Sequence, residues 1–133
     1  MIIKFIDIFC TPYVINIANA FREILIELKI ETNLFCRQIN NEDIERCRKD
    51  KNLYMFLFCP QWIYSDESGT LPINKYFFYQ LEQFDKSNAP HIKSNLVVNL
   101  MKNSNHIFDY SKINLDYYTN NPFNFSKLKF SQL

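Results

Sequence analysis

The chain has 133 residues, enough for one domain with a core of its own and no need of covalent staples. Hydrophobic residues make up 47% and aromatics 17%, which excludes a disordered chain. With 15 basic and 14 acidic side chains the net charge is +1, and no Lys/Arg stripe forms, so a nucleic-acid partner is not expected. The densest basic patch (Arg46, Arg48, Lys49 and Lys51) is broken by Cys47 and Asp50 and reads as a solvated helix end.

Gly69 is the only glycine, where about 7% is usual. Neither GxGxxG nor GxxxxGK[ST] can be written from one glycine, so the backbone loops that cradle a pyrophosphate are absent and no cofactor is expected. The surplus of Asn, Ile, Lys and Phe is the bias of an AT-rich genome. Cys10, Cys36, Cys47 and Cys59 show no CxxC spacing, and neither His91 nor His106 completes a metal cluster. They read as buried, reduced thiols of a cytoplasmic protein.

In chain order, Ile2–Phe9 is a nearly continuous apolar run, the mark of a strand buried on both faces, and is too short to span a membrane. Pro12 stops it. Helical spacing then puts Ile17, Phe21, Ile24, Leu25 and Leu28 on one inward face, with Arg22, Glu23 and Lys29 opposite. Thr32–Arg37 is a short second strand. Asn41 is the expected N-cap of a charged helix running to Lys49, held inward by Ile44 and Cys47.

Leu53–Phe58 is a third buried strand, closed by Pro60. The turn-rich SDESG at 65–69 leads to a fourth strand, Lys75–Gln80. Ile92, Leu96, Val97, Leu100 and Met101 form the stripe of a third helix, and His106–Phe108 is a fifth strand. From about residue 119 an irregular tail begins, whose three Phe are expected to dock on the body.

This alternation predicts a single Rossmann-like α/β domain with a mainly parallel sheet of about five strands flanked by helices. Parallel strands bring their carboxyl ends to one edge, where ligands bind. The polar residues there are Thr11 after the first strand, Gln61 and Trp62 after the third, and Gln80, Glu82 and Gln83 at the end of the fourth. Asp109, Tyr110 and Ser111 follow the fifth. Glu82 and Asp109 are candidate general bases, since a carboxylate in a desolvated site has its pKa raised toward neutrality. Each has a structural alternative. Glu82 can bond loop amides, Asp109-Tyr110-Ser111 can form a capping turn, and Trp62 can seal the core rather than stack on a sugar ring.

FFYQLEQ at 77–83, followed by HIFDYSKIN at 106–114, resembles the N-terminal half of GT-B-type glycosyltransferases found in bacterial surface-polysaccharide loci and giant viruses. There one strand ends in Tyr-Gln/Asn-x-Glu-Gln and another in Asp-Tyr-Ser with an Asn three residues on. The matching positions are Tyr79, Gln80, Glu82, Gln83, Asp109, Tyr110, Ser111 and Asn114, and the likeness in element order spans roughly residues 1–118. The resemblance implies a carbohydrate-acceptor half-domain, with the nucleotide-sugar donor held elsewhere by a separate donor-binding subunit. Either that subunit or a second copy of the chain is the expected partner. The alternative is a non-catalytic α/β interaction module, with exposed Phe and Tyr forming a protein–protein face.

Overall fold

The computed structural model describes residues 2–81, 95–109, 111, 112, 114 and 130–132. Glu82, Gln83, Tyr110, Ile92 and most of the tail therefore lie outside the described residues. Six strands form one sheet: β1 (Phe5–Phe9), β2 (Glu31–Phe35), β3 (Leu53–Phe58), β4 (Tyr76–Gln80), β5 (His106–Asp109) and β6 (Phe130–Gln132). Their order is β2-β1-β3-β4-β5-β6, and every pairing among them is parallel. This is a single Rossmann-like α/β domain, flanked by α1 (Ile15–Glu27), α2 (Asn41–Lys49) and α3 (Asn95–Asn103).

The middle of the sheet is buried on both sides because its central strands β1, β3 and β4 are mostly apolar, whereas the edge strand β2 has no buried residue. All six residues of β3 are buried. Leu53, Met55 and Leu57 pack into one layer with Ile44 and Cys47 of α2 and Val97, Val98, Leu100 and Met101 of α3. Phe56 and Phe58 face the other layer, with Ile6 and Ile8 of β1 and Ala18 and Leu25 of α1. The β3–β4 crossover does without a helix. Residues 59–75 cross in two short 3-10 turns, Pro60–Trp62 and Asp66–Ser68.

The structure corrects four readings of the sequence. Ile17, Ile24 and Leu28 do not face inward: they are 47%, 54% and 64% exposed, whereas Ala18 and Leu25 are buried. The packed row is Val14, Ala18, Phe21 and Leu25, which keeps Phe21 and Leu25 of the expected stripe and replaces the others. Ala18 lets the helix sit close to the sheet, and Phe21 lands on Phe56 with ring centroids 4.2 Å apart. The N-cap of α2 is Asn40, not Asn41; its side chain accepts from the Asp43 N–H while Asp43 accepts from the Asn40 N–H, a capping box. The second strand ends at Phe35, before Cys36 and Arg37, and Cys36 is exposed rather than buried.

Candidate functional site

The chain leaves β1 toward the β2 edge and then returns past β1 to β3, so the strand order reverses between β1 and β3. In open α/β sheets a crevice opens at that reversal, outside the carboxyl ends of the strands. Here it is a cavity of about 540 Å³. Thr11, Pro12, Tyr13 and Val14 line it from the β1 side, Cys59 and Trp62 from β3, and Leu81 from β4. The volume lies in the range of small-molecule sites, about 300–1,000 Å³.

Local sequence shapes both walls in the same way. Each strand is followed by a proline that opens a 3-10 turn, Pro12–Val14 after β1 and Pro60–Trp62 after β3. The preceding Cys59 adopts the left-handed region at φ 49° and ψ 64°, a conformation that costs a non-glycine residue about 1 kcal/mol or more. Its N–H still donates to the Tyr79 carbonyl at 2.9 Å, so the turn is pinned to β4 as it swings residues 60–62 over the crevice. Trp62 is 46% exposed and Tyr13 97% exposed, so the lone tryptophan does not seal the core.

The remaining described candidates lie at the ends of β4 and β5. Gln80, the last residue of β4, is fully buried, and its amide exchanges hydrogen bonds with that of Gln61 at 3.1 and 3.4 Å. Gln80 thus grips the residue next to Trp62. Tyr79 points to the opposite layer, its ring centroid 5.1 Å from that of Phe58. Burial, reinforced by Asp109 and Cys59, pushes its phenol above the ordinary value.

Asp109 pairs in register with Gln80 and is fully buried. Its carboxylate accepts from the Ser111 N–H at 2.8 Å and from the Asn114 amide at 3.2 and 3.0 Å. The Asn114 N–H in turn donates to the Ser111 hydroxyl at 3.3 Å. Asp109, Ser111 and Asn114 therefore bind one another in a turn, the arrangement of the capping alternative. Of the sequence candidates, Thr11 and Trp62 are brought together at the cavity. Gln80 is tied to the cavity wall through Gln61, Asp109 beside it holds Ser111 and Asn114, and Glu82 follows directly on the lining residue Leu81.

Sequence reading missed a second polar cluster. Asp7, buried in the middle of β1, accepts from Arg46 Nε at 3.1 Å and Nη2 at 2.5 Å and from the Asn33 amide at 3.1 Å. Arg37 forks onto Asp43 at 2.7 and 2.9 Å and lies over the Phe35 ring. Arg46 is therefore no solvated helix end. Burial pushes Asp43 up, but Arg37, the Asn40 N–H and Arg46 outweigh it and hold the carboxyl below its usual range. The signal in the sequence was Asp7 itself, a charge inside an otherwise apolar strand.

Among the described residues no group of three or more His, Cys, Asp or Glu is placed to hold a metal, and no helix is long and apolar enough to cross a membrane. Among the described residues the cavity lining carries no charged side chain. Aromatic and aliphatic walls with two hydroxyls suit a neutral ring better than a phosphate. The fold and crevice define a doubly wound α/β protein with a ligand-sized cleft at its switch point. No protein-family model, no curated protein and no solved structure matches the chain.

Proposed function

We propose that this chain is the carbohydrate-acceptor half of a glycosyltransferase-like protein, and that the sugar occupies the cavity between the ends of β1 and β3. The observation that carries this reading is Trp62, a half-exposed indole held at the wall of a cavity whose described lining residues are uncharged. The apolar face of a pyranose stacks on such a ring, and the hydroxyls of Thr11 and Tyr13 meet its polar rim.

Acid–base chemistry in this reading belongs to Glu82, the residue after the cavity wall at Leu81. Asp109 serves instead as the anchor of the 111–114 turn, since both its oxygens already accept hydrogen bonds. The donor diphosphate needs backbone cradles or cationic clamps, and the single glycine writes no such loop. A separate donor-binding subunit supplies that part, and the isolated chain transfers no sugar.

The test is calorimetric titration of the protein with a panel of neutral oligosaccharides. Binding that is abolished by Trp62→Ala and kept by Glu82→Gln supports the reading. Equal binding by the wild type and Trp62→Ala would remove it.

A second reading has its own observation. Tyr13, Ile17, Ile24 and Leu28 leave an exposed apolar stripe along α1, and this favours a non-catalytic interaction module. Light scattering that shows a monomer at all concentrations, with no partner lost on Ile24→Glu, argues against that module.

A further inference from the structure

We propose that Cys10 and Cys36 form a modification site, a vicinal thiol pair that a small disulfide such as oxidised glutathione converts to an intramolecular disulfide. The pairing follows from the register of the sheet. Phe9 and Phe35 are partners in the parallel β1–β2 ladder, so the next residues along, Cys10 and Cys36, leave the two strands side by side. The Cys10 N–H donates to the Phe35 carbonyl at 3.0 Å, holding the two ends together past the last ladder pair. The two thiols are close enough for Cys36 to act on the Cys10 thiol electrostatically. Neighbouring strands run about 4.8 Å apart, inside the Cα separation of about 4.4–6.8 Å that a disulfide spans.

Their environments differ in the way a nucleophile and a resolving thiol differ. Cys36 is exposed and open to attack a reagent in solution, whereas Cys10 is fully buried. Burial, with the neighbouring Cys36, pushes the Cys10 thiol up to about 12, so it stays protonated and unreactive toward solution reagents. Cys47 and Cys59, also buried, are not placed at this ladder end.

The exchange balances in two displacements. The Cys36 thiolate attacks one sulfur of oxidised glutathione, forming a mixed disulfide and expelling one glutathione thiolate. The Cys10 sulfur then attacks that of Cys36 and expels the second glutathione thiolate, which takes up the Cys10 proton as it leaves. Two electrons pass from the protein dithiol to glutathione, and both released thiolates take up protons. The new bond ties down residue 10, immediately before the Thr11–Val14 segment that walls the cavity.

The test is incubation of the native protein with oxidised glutathione, followed by thiol alkylation and peptide mapping by mass spectrometry. The expected product is a Cys10–Cys36 cross-linked peptide, reversed by excess reduced glutathione. In Cys36→Ser, Cys10 should stay unmodified. The proposal is overturned if Cys36 stops at the mixed disulfide, if both thiols stay free, or if Cys10 is glutathionylated as readily in Cys36→Ser.

Discussion

Arg46, in the last turn of α2, reaches under the sheet to Asp7 in the middle of β1, its Nη2 2.5 Å from a carboxylate oxygen that is almost wholly buried. The partner strand adds only one amide, from Asn33. A buried carboxylate stripped of its cation costs far more than the pair contributes, because its desolvation is no longer offset. Arg46→Ala should lose about 3 kcal/mol in urea unfolding, the lower end of the buried-pair range since Arg46 itself is half in water. A loss under about 0.5 kcal/mol, the surface-residue level, would show that Asp7 finds another partner.

Asp43 gives an acid-side signature. Its folded pKa is depressed by Arg37 and the Asn40 N–H despite the opposing push of burial. Its stabilisation is therefore fully present above the unfolded value of about 3.9 and is lost as pH falls through the lower folded value. Stability measured below about pH 4 should fall with a steeper slope in the wild type than in Asp43→Asn. Parallel curves there would contradict the pairing. At neutral pH the same variant keeps an oxygen to accept from the Asn40 N–H but loses the two-oxygen fork of Arg37.

The facing of α1 is open to a paired test. Leu25 is buried and its neighbour Ile24 is 54% exposed. Leu25→Ala should cost about 2–5 kcal/mol, as for a core truncation. Ile24→Lys should stay within about 0.5 kcal/mol, as for a surface change. Reversed values would restore the inward stripe of Ile17, Ile24 and Leu28.

Gln80 should act on the cavity through Gln61. The reciprocal amide bonds at 3.1 and 3.4 Å hold the residue beside Trp62. Gln80→Ala should cost about 1–3 kcal/mol, as when a buried hydrogen-bond partner is removed, and should also lower the steady-state anisotropy of the tryptophan emission. Unchanged anisotropy would mean that Trp62 is positioned by its own turn alone.

The central strands were legible because strands buried on both faces write themselves as largely apolar runs bounded by Pro or by a change of period. By contrast, β6 fell in the tail read as irregular. The helix facing was not legible. In α1 apolar residues stand on nearly every side, and Ala18 set the packed row by its small size, which hydrophobicity alone underweights. The site was half legible. Thr11 and Trp62 followed from the rule that ligands gather at carboxyl ends. The partners of Asp7 and of Gln80 depend on which helix and loop pack against them, and that is fixed by contacts 39 and 19 residues apart in the chain.

Trp62 is the chain's only tryptophan, so its fluorescence reports on the cavity wall and nothing else. Titration with neutral oligosaccharides should quench its emission and shift it to shorter wavelength in a saturable curve, as a sugar ring displaces water from the indole. Substituting Thr11→Val on the opposite wall should weaken that curve several-fold without moving the starting spectrum. A spectrum indifferent to every oligosaccharide tested, from a protein whose far-ultraviolet circular dichroism shows it folded, would contradict the assignment of this cavity to a carbohydrate.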